Sequence, residues 1–201
     1  METKKLEGVM TIAGGHYDEN IDINGVITCN GDLSAQSAKL DGVLTVNGNV
    51  TVEQKISIGG VVTIKGNIRA KEVYNDSVCT IKGSVEADTI QCQGVLSCKQ
   101  QLSGDLVEIQ GALSAKEVVG EKVVLHCGSK RGGFFKRKDL SHVDLIEATE
   151  IEIDGICSQN VNGHTITIGS QCHIDNVDCS GTLSITPGAE VKTINGKAHT
   201  A

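Results

Sequence analysis

The chain has very few of the large side chains that usually fill a globular core. Its 201 residues include no Trp, one Pro, two Tyr and two Phe, so aromatic residues make up only 2% of the sequence. Large aromatic rings normally supply much of the buried area of a compact domain. Their scarcity favours a narrow core that Val, Ile, Leu, Ala and Cys can fill.

Long apolar runs and an excess of positive charge are missing as well. No stretch of 18 apolar residues occurs, which argues against a membrane-spanning helix, and the first residues hold no continuous apolar segment of the kind a secretory signal needs. The formal net charge is −7 and the pI is near 5.3. Nucleic-acid binding needs a basic surface. We therefore expect a cytoplasmic protein that does not bind nucleic acid.

The eight cysteines contain no CxxC pair. Thiols stay reduced in the cytosol, and a buried free Cys behaves as a small apolar residue. Cys29, Cys79, Cys92 and Cys98 take positions that Val, Ile or Leu hold in other copies of a repeat, and Cys127, two residues after Leu125, is expected to do the same. We interpret the cysteines as core residues rather than as a zinc site, and we expect no cofactor.

Alternating apolar residues and regularly spaced Gly are abundant, most clearly between Leu40 and Ala70, LDGVLTVNGNVTVEQKISIGGVVTIKGNIRA. Nearly every second residue is apolar or Gly, and most residues between them are polar, with Val43 and Val61 as exceptions. Such alternation is typical of strands that bury one face. The stretch is longer than an ordinary strand, and Gly interrupts it about every six residues. It therefore predicts a series of short strands joined at glycine corners.

The same unit recurs along the chain. The copies are GVITCNGDLSA from Gly25, GVLTVNGNVTV from Gly42, GVVTIKGNIRA from Gly60, SVCTIKGSVEA from Ser77 and GVLSCKQQLSG from Gly94, and their starts are 17 or 18 residues apart. This period predicts an all-β fold, a parallel β-solenoid with three short strands per coil of 17–18 residues. Stacked coils lie about 4.8 Å apart, and we expect about ten of them. No helix is predicted.

The repeat divides the chain into four parts. Residues 1–20 are a lead-in or a partial coil, residues 21–128 are solenoid coils, residues 129–142 are an insertion, and residues 143–201 continue the coils. The insertion, SKRGGFFKRKDLSH, contains the only two Phe residues and fits no strand alternation. It is therefore predicted to protrude from one corner.

The insertion is the sharpest candidate for a contact site. Its candidate contact residues are Lys130, Arg131, Phe134, Phe135, Lys136, Arg137 and Lys138. The cations would be attracted to an anionic membrane, with about 1 kcal/mol for each, while the rings enter the interface. Two other interpretations stay open. The loop can dock a protein partner, or its rings can fold back over a corner while its cations pair with the acidic coils.

The repeat resembles that of the bactofilins, bacterial polymer-forming cytoskeletal proteins. The matching residues run from Gly60 to Ala70, and the copies that start at Gly25, Gly42 and Ser77 share the pattern. The resemblance is good over residues 23–119 and thinner over 143–196. It implies a right-handed β-helix of triangular cross-section that stacks end to end into non-polar filaments without nucleotide. It also implies roles in scaffolding, cell shape, motility and the positioning of wall enzymes.

The chain departs from the family in two respects. The insertion is not part of the family repeat, and the N-terminus has no obvious apolar anchor. From the resemblance we expect a non-enzymatic scaffold in the cytoplasm, a candidate for the inner face of the membrane. Its partners would be further copies of itself and other scaffold or cell-envelope proteins.

Three other functions compete with the scaffold interpretation. A trimeric acyltransferase of the hexapeptide-repeat type places a His between coils, and His164 would be that residue, but the hexapeptide spacing is absent. A monomeric binding module would use the insertion alone. A polysaccharide-cleaving β-helix would need an aromatic platform for sugar, and the sequence offers none. Glu150, Glu152 and Asp154 lie on the outer face of one strand, where a solubilising row is a better interpretation than a cation site.

A small His and Cys group was also considered. His164, Cys172 and His173 can approach one another if they fall on adjacent coils. Solvated side chains on separate rungs are the favoured interpretation, so no catalytic residue and no metal ligand is assigned.

Overall fold

The computed structural model describes residues 2–127, 141–196 and 199–200. Within these ranges the chain forms 19 β-strands and no helix, so no described helix is available to cross a membrane. The strands are β1 (Thr3–His16), β2 (Asn20–Ala35), β3 (Ala38–Val46), β4 (Val50–Val52), β5 (Lys55–Ile58), β6 (Val61–Ile64), β7 (Ile68–Arg69), β8 (Glu72–Asn75), β9 (Val78–Ile81), β10 (Val85–Glu86), β11 (Thr89–Cys92), β12 (Val95–Cys98), β13 (Gln101–Ile109), β14 (Ala112–His126), β15 (Ser141–Asp154), β16 (Ile156–Ile168), β17 (His173–Ile185), β18 (Glu190–Gly196) and β19 (His199–Thr200).

Strands pair in parallel with the strands one coil further along, and the whole is a β-solenoid of about 11 turns. One column of paired residues runs through every turn: Lys4, Ile21, Ala38, Ile56, Val73, Ile90, Val107, Val123, Ile151, Ile166, Leu183 and Thr200. The all-β solenoid predicted from the repeat is confirmed. The turn count slightly exceeds the expected ten because β1 adds a rung ahead of the first clear repeat.

A single coil shows how the alternation becomes structure. Strands β5, β6 and β7 follow one another around the coil, and each pairs with the equivalent strand of the next coil. Ile56, Ile58, Val62, Ile64 and Ile68 all point inward and are no more than 2% exposed. The predicted inward positions are therefore confirmed, and they form one continuous apolar interior.

The corner between the first and second strands of a coil is built from stacked glycines. Gly25 and Gly42 have φ of 129° and 89°, in the left-handed region that glycine adopts without strain. A Cβ on Gly42 would meet the carbonyl oxygen of Gly25 on the rung before. Glycine is needed here both for its backbone conformation and for the close approach of the rungs.

The corner between the second and third strands is held by stacked polar side chains. The backbone N–H of Asn49 donates to Asp32 Oδ1 at 2.7 Å, and the N–H of Asn67 donates to Asn49 Oδ1 at 2.9 Å. The N–H of Ser84 then donates to Asn67 Oδ1 at 2.8 Å. Each side chain thus satisfies a backbone donor of the following rung at this solvent-facing corner.

The cysteines behave as predicted. All eight are free, and Cys29, Cys79, Cys92 and Cys98 are at most 2% exposed. Burial raises the pKa of the Cys79 thiol to about 12, and it raises the pKa of the half-buried Cys127 to about 11. The thiols of Cys79 and Cys127 therefore stay protonated at neutral pH, and the buried cysteines pack as apolar groups.

The stacking register continues across residues 128–140. Val123 pairs with Ile151, 28 positions later, whereas Ile151 pairs with Ile166, only 15 positions later. Strand β14 ends at His126, and β15, which begins at Ser141, pairs with it in parallel. The extra residues are accommodated without a shift in the columns on either side.

Candidate functional site

The first rung of the solenoid is open on one side. Strand β1 pairs with β2 and with no other described strand. Leu6, Met10 and Ile12 continue columns whose next members are fully buried, yet Leu6 and Ile12 are only half-buried and Met10 is 37% exposed. This end therefore presents a free backbone edge above apolar side chains.

The last rungs of the solenoid also expose residues that continue core columns. Val191 and Ile194 in β18 continue the columns of Ile174 and Val177, which are buried. Val191 is half-buried and Ile194 is 49% exposed. Both ends of the described solenoid thus leave core positions uncovered.

A row of valines lies on the outer surface of the first six coils. Its members are Val9, Val26, Val43, Val61, Val78 and Val95, stacked one per rung, and Ala112 follows them. Their exposed fractions run from 84% at Val9 to 43% at Val78 and Val95. A β-branched apolar side chain repeated on every rung forms a continuous apolar strip, which is unusual on a monomer.

Several charged side chains on the other faces pair from rung to rung. Arg69 contacts Glu86 at 2.6 Å, Lys122 contacts Glu150 at 3.0 Å, and Lys192 contacts Asp175 at 2.7 Å. These pairs are exposed, so each adds little to stability. They do remove free charge from these faces.

The predicted contact residues of the insertion, from Lys130 to Lys138, lie outside the described residues. Their contact with an anionic membrane, with a protein partner or with the solenoid itself therefore stays a prediction. The described flanks fix only where the insertion is attached. Cys127 sits after the first strand of its coil, at the glycine corner, and Ser141 begins the next strand, where its Oγ accepts from the N–H of Leu113 at 2.9 Å.

The group of His164, Cys172 and His173 does not form. His164 Nδ1 lies 3.1 Å from Ser180 Oγ on the outer surface, and His173 Nε2 lies 3.4 Å from Glu190 Oε2 in a different column. Cys172 points inward and is fully buried. Across the described residues no group of three His, Cys, Asp or Glu side chains is arranged to hold a metal ion.

The acidic row of β15 is divided among different partners. Glu150 pairs with Lys122, Glu152 Oε1 lies 3.4 Å from His126 Nε2, and Asp154 accepts from Ser170 Oγ at 3.1 Å. These contacts favour the interpretation of a solvated surface row.

A shallow groove runs beside His164, where small residues stack in one column. Gly120, Ala148 and Gly163 form its floor, and Glu147 and Ser180 line its sides. The groove is wide open to solvent and holds no nucleophile with a paired base that is shielded from water. It brings His164 next to the hydroxyl of Ser180.

The valine row is the surface that the sequence argument did not identify. Its signal was present, since Val43 and Val61 broke the alternation at the same place in two successive repeats. Comparison with protein-family models, with curated proteins and with solved structures gives no match to this chain.

Proposed function

We propose that the protein is a bactofilin-like, non-enzymatic scaffold that assembles end to end into filaments. The observation that carries the proposal is the pair of uncovered ends. Met10 at the first rung and Ile194 at the last described coil occupy core columns but remain 37% and 49% exposed.

An added rung would be favourable at either end for two physical reasons. A free strand edge carries unpaired N–H and C=O groups, which invite another strand. Burying a full aliphatic side chain contributes about 1.5–3 kcal/mol, and several of them lie at each end. A second copy offers both the backbone edge and the apolar columns at the matching spacing.

The finer features of this proposal come from the bactofilin resemblance. The solenoid would be right-handed with a triangular cross-section, and the filament would be non-polar and formed without nucleotide. The scaffold would lie in the cytoplasm at the inner face of the membrane. There it would support cell shape or motility, or position envelope proteins.

Negative-stain microscopy of the purified protein at low micromolar concentration, with light scattering, tests the proposal. The wild type is expected to form filaments. Met10→Lys, which places a charge on the uncovered core column of the first rung, is expected to shorten or abolish them. Ile194→Lys should do the same from the other end.

Thr11→Lys and Asn195→Lys are the matched controls. Both residues are exposed neighbours of the substituted ones, but Thr11 lies outside the core columns, as its partner Thr28 does, and Asn195 lies beside Ile194. The controls should assemble like the wild type. Monomers across a range of salt and pH, or equal loss in variants and controls, would contradict end-to-end assembly.

A further inference from the structure

The face that carries the valine row has a regular arrangement across each strand as well as along the rod. In the coil of β9, Val78 and Thr80 point outward on either side of the buried Cys79. Asp76 precedes this strand and Lys82 follows it, each three residues from Cys79. The order from one edge to the other is therefore acid, valine, threonine, lysine.

The threonines and lysines also stack from rung to rung. Thr11, Thr28, Thr45, Thr63 and Thr80 form one row, which Ser97 and Ser114 continue. Lys65, Lys82 and Lys99 are exposed, and none has an ion pair with another described residue. The face thus presents methyl groups along its centre and uncompensated positive charge along one edge.

We propose that two copies of this chain pair side by side through this face, pointing in the same direction, about a two-fold axis parallel to the rod. Rotation about such an axis reverses the order across the strand and keeps each rung at its own height. Val78 then faces the partner's Thr80, and Asp76 faces the partner's Lys82. A two-fold interface is self-complementary in this way, with each contact made twice.

The rung spacing identifies a second copy as the occupant. The valine row extends over five rung intervals, roughly 24 Å at about 4.8 Å each. Another copy carries the same repeat, so five of the six valines meet a threonine methyl group of the partner, and Val95 meets the partner's Ser97. A partner of irregular shape would match only some rungs and leave others uncovered.

Charge favours the parallel arrangement because it sets Lys82 opposite the partner's Asp76. An antiparallel pairing that overlaps all six valines sets Lys82 opposite the partner's Asn30 and makes no such pair. In antiparallel pairing about the β9 rung, Lys82 would face the partner's Lys82, and Lys65 would face the partner's Lys99. Like charges held opposite one another are destabilising. In the parallel arrangement Lys65 faces the partner's Gly59 and Lys99 faces the partner's Gln93, so no lysine meets a cation.

Disulfide trapping of full-length chains tests this pairing. Val61→Cys and Thr63→Cys are prepared separately, one with an affinity tag, then mixed, oxidised with copper phenanthroline and separated on a non-reducing gel. The mixture is expected to give several-fold more cross-linked dimer than either variant alone. Wild type reports any background from the native cysteines, and Thr51→Cys, exposed on another face, reports random collisions.

Three results would overturn the proposal. The first is no cross-link above background in the mixture. The second is a cross-link of Val61→Cys with itself that is as strong as the cross-link in the mixture. The third is a wild type that yields monomers only, because its own chain covers the valine row. A charge reversal gives an independent measure. Lys82→Glu should reduce the cross-link in the mixture, and Asp76→Lys combined with Lys82→Glu should restore it.

This pairing does not depend on end-to-end assembly, and the two can fail separately. Filaments that form without the Val61–Thr63 cross-link contradict side-by-side pairing only. A strong cross-link without filaments contradicts end-to-end assembly only.

Discussion

Asn49 Oδ1 accepts a hydrogen bond from the backbone N–H of Asn67 at 2.9 Å, although the two residues are 18 positions apart in the chain. Asn67 repeats the contact with Ser84 on the next rung, at 2.8 Å. The N–H groups at this corner are thus satisfied by side chains of the rung before. The corner is therefore as repetitive in its polar contacts as the interior is in its apolar ones.

Asn67→Ala should destabilise the solenoid. It removes the acceptor for the N–H of Ser84, and a typical intramolecular hydrogen bond contributes about 0.5–1.5 kcal/mol net. We expect a loss of about 1 kcal/mol in the free energy of unfolding, measured by urea titration with circular dichroism. Asn67→Asp keeps an acceptor oxygen at the same place, as Asp32 does on an earlier rung, and should retain most of the stability.

Asn47→Ala is the control for this corner. Asn47 Nδ2 donates to Asn30 Oδ1 at 2.6 Å, and both side chains are exposed to water, so no backbone donor is left without a partner. The change should cost less than about 0.5 kcal/mol. A loss as large as that of Asn67→Ala would show that the side-chain-to-backbone contacts have no special role.

Gly42→Ala should be more damaging than most surface substitutions. The φ of Gly42 is 89°, and the added Cβ would meet the carbonyl oxygen of Gly25. Residues held in such a conformation cost about 1–3 kcal/mol, and the clash adds to that. We expect a lower midpoint of urea unfolding and less soluble protein on expression.

Gly15→Ala provides the comparison. A Cβ at Gly15 has no atom within 4 Å, and its φ is not in the left-handed region. The substitution should leave the unfolding midpoint unchanged or raise it slightly, because Ala restricts the unfolded chain. If both glycines tolerate alanine equally, the close approach of the rungs at Gly42 is not needed.

The buried thiol of Cys79 predicts a loss of stability in alkaline solution. Burial raises its pKa from the ordinary 9.0 to about 12. The unfolded chain therefore loses its thiol proton near pH 9 while the folded chain keeps it. The contribution of this group is fully present below pH 9 and is lost as the pH rises towards 12, by about 1.4 kcal/mol per pH unit.

Cys79→Val isolates that effect from the titration of other groups. Val fits a column whose other members include Val62 and Leu96, and it has no proton to lose. Urea unfolding of both proteins between pH 7 and 11 should show a smaller decline for the variant. Parallel declines would place the pH dependence elsewhere in the chain.

Much of the fold could be predicted because short stretches of sequence carry the pattern of its strands and corners. Leu44 and Val46 alternate with polar residues and are buried, as the two-residue period predicts. The coil length followed from the spacing of Gly25, Gly42 and Gly60, because identical corners must recur at identical distances. Neither inference needed knowledge of distant contacts.

The face on which an outward residue falls was harder to predict. His142 pairs with Cys157 after 15 positions, and Cys157 pairs with His173 after 16, whereas the coils that precede β13 take 17 or 18. The sequence distance between stacked residues is therefore not constant, and a fixed period does not give the partner of an outward residue on later coils. His164 and His173 are nine positions apart, roughly half of a coil, so they lie in different columns.

The valines of the row can be seen in the sequence, but one repeat alone does not show that they form a surface strip. Val43 follows the corner glycine, where a turn residue is as plausible as a surface one. Only the register shows that Val43 and Val61 stack, and that the strip they belong to spans six rungs. The apolar strip is recognised only when the valines are seen to stack on successive rungs, and the linear sequence does not show that stacking.

The unbroken register between Val123 and Ile151 has a consequence for how such a rod can diversify. A segment can be lengthened, shortened or exchanged between Cys127 and Ser141 while the rungs above and below keep their alignment. The same solenoid would then carry different segments at one fixed height along its axis. In the proposed filament, regularly spaced copies would display such segments as an evenly spaced array.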